Sequence, residues 1–441
     1  FASVCARVCF HACESKCRRC NLDEPVSIRG VKRFMVDQET KPQMPEVRAN
    51  AENAKRKIAI VGGGPSGLTC AYFLARLGYK PVVFEAAPKA GGMLVQTIPI
   101  YRLPRVELEK EIKMIESMGV TIHCNKALGK DFTLESLKAE GYEAIYLAVG
   151  APKGAKLGIP GEEIPGVYDA LQFLRDFNMN GSTKVGKKVA IIGGGNAACD
   201  AARTAKRLGA ESVTMLYRRT RAEMTAYAEE IEEAEKEGVI IKTLVAPQEI
   251  LASGGKAVGV KCQHMFLGEY DRSGRRRPVA RDDDEGFIEE ADMVIAAIGQ
   301  ALDTKEICGA TALKLNRWNY LWADAVSGKT SEDGIFAGGD AAEGPSSVVE
   351  AIGAGERAAV GMDAYLTGEE HAYWRETCQV DTAFDADADP NMTPRAKMQT
   401  IDVSKRASFE EVELALSEDV AVCEARRCLR CDYREEACAA K

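Results

Sequence analysis

No stretch of 18 consecutive apolar residues occurs in the chain, which excludes a helix that crosses a bilayer. A net positive charge is also missing. The 66 acidic residues outnumber the 58 basic ones and leave a formal charge of −8, which argues against nucleic acid as the main partner. Histidine is scarce: none of the four (His11, His123, His264, His371) stands in a catalytic motif. His11 neighbours a cysteine-rich stretch, and the other three read as surface or packing residues. The chain starts at Phe1 without an initiator Met or a signal peptide, and this start is uninformative about targeting.

What is present fits a large soluble protein, expected to be cytoplasmic. With 441 residues, 46% hydrophobic and 28% charged, two or three cores are expected. The 15 cysteines gather at the ends. Cys5, Cys9, Cys13, Cys17 and Cys20 lie in the first 20 residues, and Cys423, Cys428, Cys431 and Cys438 in the last 19. Disulfide-stapled scaffolds are usually small, so the end clusters point to iron–sulfur or zinc ligation instead.

Between the ends, two segments share one pattern. Lys57–Val61 is a short apolar strand, followed by Gly62, Gly64 and Gly67 at dinucleotide-fingerprint spacing. A helix is expected over Leu68–Leu77 and a strand over Pro81–Phe84, with Glu85 at its end, 18 residues after Gly67. Glycines let the backbone approach a pyrophosphate, with Pro65 and Ser66 in the same turn as candidate contacts, the N-terminus of the following helix meets its charge, and the acid accepts ribose hydroxyls. The turn at Gly92 and the segment IPIYRLP, with Arg102, follow and are placed along the same ligand; Arg102 is a candidate for a phosphate or a flavin pyrimidine.

The second segment runs Lys188–Ile192, then Gly193, Gly195, Asn196 and Ala198, a helix over Cys199–Leu208, and a strand over Val213–Tyr217. Here the acid is replaced by Arg218 and Arg219, with Arg221 beyond. Guanidinium groups match a 2′-phosphate that a carboxylate would repel, so NADP(H) is favoured over NAD(H). Arg203 is a further candidate near the pyrophosphate. Residues 268–288 read as an exposed hairpin, and Arg275–Arg277, flanked by Asp282–Asp284, as a solvated loop.

Two strands, Ala144–Gly150 and Met293–Gly299, end in Gly150 and Gly299 and read as exits of the two units. Ile335–Asp340 adds a strand ending in Gly339 and Asp340, and from Pro345 onward a small-residue helix begins, with Ser347 and Val348 near its start, that allows close cofactor approach. The fold class expected is α/β, with two Rossmann-like dinucleotide-binding domains, the second inserted in the first. No C-x-x-C pair stands between the two units, which speaks against a dithiol relay.

Together CARVCFHACESKCRR (5–19), GGGPSGL (62–68), IPIYRLP (98–104), GGGNAACDAARTAKRLGA (193–210), YRRTRAEM (217–224) and AGGDAAEGPSSVVEAIGAGERAA (337–359) carry a family resemblance. The chain resembles the small, pyridine-nucleotide-binding subunit of glutamate synthase. Its relatives include the flavin half of dihydropyrimidine dehydrogenase and the large subunit of ferredoxin-dependent transhydrogenase. The resemblance implies FAD on Gly62, Gly64, Gly67, Glu85 and Asp340, and NADPH on Gly193, Gly195, Arg218 and Arg219. It also implies two [4Fe–4S] clusters in a preceding helical domain and a partner subunit that receives the electrons.

On this reading residues 1–54 are a partial helical iron–sulfur domain, 55–177 and 326–370 the two parts of the FAD domain, and 178–325 the NADP(H) domain. Residues 371–441 form a tail with a further cysteine site. Cys9, Cys13 and Cys17, with Cys5 beside them, are the candidate ligands at the start. Cys423, Cys428, Cys431 and Cys438 would form a zinc clip, another iron–sulfur cluster, or a junction completed from elsewhere. The function implied is an NADPH-oxidising electron-input subunit. The alternative is the flavin module of a bifurcating or transhydrogenating complex with ferredoxin, hydrogenase or formate dehydrogenase partners.

Overall fold

The computed structural model describes residues 1–40, 43–271, 274–281, 284–304, 307, 313–375 and 392–431. Two short helices, α1 (Ala2–Val8) and α2 (Ile28–Gln38), lead the chain. The first unit follows with β1 (Ile58–Val61), α3 (Pro65–Arg76), β2 (Val82–Phe84), α4 (Met93–Gln96), α5 (Arg105–Ser117), β3 (Thr121–His123), α6 (Leu134–Ala139) and β4 (Ala144–Leu147). After β5 (Lys153–Gly154) the second unit runs β6 (Val167–Asp169), α7 (Ala170–Asn180), β7 (Lys188–Ile192), α8 (Asn196–Arg207), β8 (Ser212–Tyr217), α9 (Ala228–Lys236) and β9 (Ile240–Thr243). Then come β10 (Val245–Ser253), β11 (Lys256–Tyr270), β12 (Arg276–Ala280), β13 (Phe287–Glu290), β14 (Met293–Ala296), β15 (Gln300–Ala301), β16 (Ile335–Ala337), α10 (Asp340–Glu343), α11 (Val348–Thr367) and α12 (Glu418–Arg426).

Both units are parallel sheets of five strands. The first has the order β16-β4-β1-β2-β3 and the second β6-β14-β7-β8-β9. Parallel strands need long crossovers, and helices on both faces bury them. That is why β1 and β4 read as unbroken apolar runs with every residue buried. An antiparallel layer, β10-β11-β12 with β13 on β11, packs Val260 and Cys262 against the second sheet. The two passages between units pair as a small antiparallel ribbon, Gln300 with Gly154 and Ala301 with Lys153.

Glycine sets how closely these layers approach. A Cβ at Gly67 would lie 2.0 Å from the Gly62 carbonyl oxygen, and one at Gly355 would lie 2.2 Å from that of Ser66. Thus α3 can sit on β1, and α11 on α3, only without side chains at those positions.

The unit borders differ from the sequence expectation. Val167–Asp169 pairs with β14, so the second unit begins before residue 178, a position inside α7. Leu313 and Leu321 pack with Ala59 and Ile335, so the first unit resumes before residue 326. Hydrogen-bond pairing decides membership here, and β6 carried no fingerprint to mark it. The tail is docked as well. The Val412 N–H donates to the Tyr101 carbonyl at 2.9 Å, Glu413 accepts two bonds from Arg29, and the fully buried Arg427 donates to Glu424 and the Glu24 carbonyl.

Candidate functional site

A cavity of about 730 Å³ lies at the carboxyl ends of the first sheet and extends to α8. Parallel sheets hold ligands at this end, where the strand order reverses. Here the reversal falls between β1 and β4. Gly62, Gly64, Pro65, Ser66, Glu85, Gly92, Arg102, Gly150, Asn196, Asp340, Ser347 and Val348 all line it. Residues far apart in sequence thus share one wall. The volume suits a cofactor, within the roughly 300–1,000 Å³ of ligand sites.

Both fingerprint helices open on this cavity, through Pro65 and Ser66 of α3 and Asn196 and Ala197 of α8. They start earlier than the apolar periodicity implied, at Pro65 and Asn196; proline suits the first helical position because it has no N–H to leave unpaired. Neither has a side-chain cap, whereas Asp169 caps α7 and Ser347 caps α11. A pyrophosphate would meet those uncapped amides and the positive end of the helix dipole. The residues present therefore fit two dinucleotides.

Glu85 is 6% exposed, and its two oxygens accept the N–H of Gly63 and of Ala87, each at 2.7 Å. Burial raises its pKa and those two amide bonds oppose the rise. Each oxygen keeps a second lone pair for a ribose hydroxyl. Asp340 has its carboxyl pushed up to about 6 by burial, against the N–H and hydroxyl of Ser346 that hold it. Ser66 shares a 2.7 Å hydrogen bond with the buried Tyr146 hydroxyl.

Other expected residues sit behind the wall or elsewhere. Gly67 packs against the Gly62 carbonyl, and Gly193 against that of Ala297. Gly195, Ala198, Gly299 and Gly339 shape the turns without lining the cavity. Three arginines have roles that the spacing did not reveal. Arg102 lines the cavity while it donates to both oxygens of Asp200 at 2.9 Å and pairs with Glu230 at 2.9 Å, tying the first unit to the second. Arg203 is held by Glu230 and Glu237 away from the turn. Arg219 is 6% exposed, pairs with Asp271 at 2.8 Å and donates to the Arg276 carbonyl. Arg218 is exposed at the end of β8; Arg221 pairs with Glu235.

Asp200 and Tyr227 also line the cavity and were not anticipated. Asp200 is buried with its carboxyl raised to about 6, burial being the main cause and Arg102 opposing it. A lone acid in the small-residue stretch GGGNAACD was the available signal. Tyr227 had none. Its N–H donates to the Asn196 side chain, and its ring stacks on Phe10 at 5.8 Å.

The cysteines take separate places. Even spacing by four does not continue one helix: α1 stops at Val8, Cys9 is its extended C-cap, and Cys13 and Cys17 flank a 3-10 turn. Cys5 is half-buried, and burial pushes its thiol up. Cys423 and Cys428 are exposed and Cys431 is half-buried, while Cys438 lies outside the described residues. Among the described residues, no three or more of His, Cys, Asp and Glu come together as a metal site. The expected ligand sets are therefore not grouped as a metal site among the described residues, where the backbone leaves the helix at Cys9. No helix of the described residues is long and apolar enough to cross a membrane.

The pyridine nucleotide-disulphide oxidoreductase family model matches residues 56–355. The chain is 41% identical to the NADP(+)-dependent formate dehydrogenase subunit beta of Moorella thermoacetica, over 98% of this chain and 65% of that protein. The glutamate synthase [NADPH] small chain of Escherichia coli is 34% identical, over 82% of this chain and 80% of that one. Mycobacterium tuberculosis FprA, solved in complex with NADPH, shares the fold with a TM-score of 0.60 at 20% identity, covering 71% of this chain and 85% of its own. The chain thus spans just under two thirds of the formate dehydrogenase subunit. Cavity, paired turns and matched span agree: the chain belongs to the pyridine nucleotide-disulphide oxidoreductase family and is an FAD-dependent NAD(P)H oxidoreductase related to the glutamate synthase small subunit.

Proposed function

We propose that the chain is the NADPH-oxidising electron-input subunit of a larger redox assembly. The observation that carries this is the single cavity onto which both uncapped fingerprint helices open, with Val8 of the cysteine-bearing segment in its wall. Bound FAD would supply the hydride acceptor; this reaction depends on alignment and water exclusion more than on an acid or base. The protein's part is then positional. Glu85 and Gly64 would hold the flavin nucleotide, Asp340 its ribityl or pyrophosphate region, and Asn196 and Ala197 the nicotinamide dinucleotide. The Arg102–Asp200–Glu230 bridge would fix one unit against the other at the place where the two ligands meet.

Electrons would leave on the side of Val8 and Cys9, beside the Tyr227–Phe10 stack. The [4Fe–4S] reading of Cys5, Cys9, Cys13 and Cys17, and the zinc or iron–sulfur reading of the tail cysteines, rest on the resemblance and the sequence clustering. Iron and acid-labile sulfide content of anaerobically purified protein tests them. For the partner, the relation to the formate dehydrogenase subunit extends over both cysteine ends, whereas that to the glutamate synthase chain covers less of this sequence. This favours a formate-oxidising or similar hetero-oligomeric partner over glutamate synthase, with ferredoxin as the alternative acceptor. The central experiment is an anaerobic NADPH titration. Flavin bleaching at stoichiometric NADPH is expected; bound FAD that responds to neither NADPH nor NADH would overturn the reading.

A further inference from the structure

The second fingerprint has a neighbour that its spacing did not foretell. A cleft of about 320 Å³ lies between residues 222–225 and the β11–β12 hairpin, where Tyr270, Arg275 and Arg276 form the facing wall. Its floor is bound to the fingerprint turn: the N–H groups of Thr225 and Ala226 both donate to the Gly194 carbonyl at 3.0 Å. The Thr225 hydroxyl lies 3.2 Å from where a Cβ of Gly195 would stand. A dinucleotide with its pyrophosphate at the start of α8 extends its adenosine toward the end of β8. That direction leads to this cleft.

The hairpin is fixed there rather than left loose. Arg219 binds it twice, through Asp271 and through the Arg276 carbonyl. The Arg276 guanidinium is braced by the carbonyls of Gly268 (3.1 Å) and Leu267 (2.8 Å), acceptors that leave its positive charge uncancelled. Among the described residues, the one carboxylate in the cleft wall, Glu223, accepts the N–H and hydroxyl of Thr220. Tyr270 is 75% exposed at the cleft, so its ring is open to stacking on a planar base.

We propose that this cleft seats the adenosine 2′-phosphate end of NADP(H), with Arg275 and Arg276 facing the phosphate and Tyr270 covering the adenine. The assignment rests on the NADP(H) reading above and adds the groups that make the discrimination. It gives Arg219 the task of holding the hairpin in place, and replaces the view of Arg275–Arg277 as a solvated loop.

The test uses the full-length flavin-loaded protein and two probes, 2′,5′-ADP and 5′-AMP, measured by calorimetry. The wild type should bind 2′,5′-ADP about tenfold or more tighter than 5′-AMP, the size expected for charge-assisted phosphate contacts. The double variant Arg275→Gln/Arg276→Gln should bring that ratio to within about twofold while its melting temperature stays near wild type, since neither arginine is buried. Tyr270→Ala should weaken both probes alike, by about tenfold, and Tyr270→Phe should restore them. A double variant that keeps the wild-type ratio would overturn the hairpin assignment alone. A wild type with no preference for 2′,5′-ADP would overturn the NADP(H) reading itself.

Discussion

The two fingerprint turns use the same strand–turn–helix geometry and differ in what closes them. The first turn is sealed from behind: Gly67 touches the Gly62 carbonyl, and Glu85 reaches back to the Gly63 N–H from the end of β2. The second turn tolerates Ala198 at the matching place, and the end of β8 carries Arg218 and Arg219. Its outer wall comes from a hairpin of the antiparallel layer instead of its own strand. A closed turn with an internal acid suits a cofactor that stays, while an open turn walled by a hairpin suits one that exchanges.

The largest effect should come from Glu85→Gln. The amide keeps the shape, but its NH2 cannot accept one of the two backbone N–H groups, of Gly63 and Ala87, that the carboxylate holds, and it loses the charge that two ribose hydroxyls would meet, at about 1.5 kcal/mol per charge-assisted bond. FAD affinity should fall about 100-fold, read by flavin titration of the apoprotein. Unchanged affinity would remove the distinction between the turns. Gly67→Ala comes next. A Cβ there meets backbone at 2.0 Å, so the strand and helix must part at a cost of about 1–3 kcal/mol. Gly195→Ala, which meets only the Thr225 hydroxyl at 3.2 Å, should cost less than half as much. Equal losses of melting temperature would break the comparison.

Much of the first turn was legible in the sequence because local spacing determines it: glycines, helix start and acid lie within one strand–helix–strand unit. The shared cavity was legible in part, since strand ends such as Gly150 and Asp340 are placed by the parallel order. What was not legible depends on contacts between distant segments. Arg102 lies next to a cofactor motif, yet its partners Asp200 and Glu230 come from the other unit. Arg219 follows the second strand as a phosphate ligand would, but Asp271 of the hairpin holds it. An arginine's role is set by the nearest carboxylate, and spacing within one unit does not report carboxylates from another. The cysteine cluster meets the same limit: a four-residue repeat does not tell where a helix stops, and α1 ends at Val8.

A third prediction concerns pH. The Asp340 carboxyl, raised from 3.8 to about 6 by burial, holds its proton more tightly in the folded apoprotein than in the unfolded chain. Its contribution to stability is full below about 4 and is lost as pH rises through about 6. Asp340→Asn should therefore stabilise the apoprotein at pH 7.5, by at most about 3 kcal/mol, with the advantage gone near pH 4. Melting curves of flavin-free protein across that range decide it. An advantage independent of pH would mean that Asp340 does not titrate in this window, and that the first site lacks the second buried acid assigned to it.

The smallest effect separates the two arginines at the end of β8, and it bears most directly on the open turn. Arg218 is exposed, so Arg218→Gln should leave the melting temperature within about 1 °C, because surface substitutions seldom exceed 0.5 kcal/mol. If it faces the 2′-phosphate, the ratio of kcat/KM for NADPH over NADH should fall several-fold, about 1 kcal/mol. Arg219→Gln should act in the opposite manner. Losing a buried partner of Asp271 loosens the hairpin and lowers the melting temperature first, and the coenzyme ratio falls only because the hairpin wall has moved. Restoring the hairpin with a saturating 2′-phosphorylated ligand should then recover part of the lost stability in Arg219→Gln, through preferential binding to the folded form. The same ligand should protect Arg218→Gln less than it protects the wild type. If the two variants behave alike in both measurements, the hairpin is not a separate wall, and the second turn is closed by its own strand as the first one is.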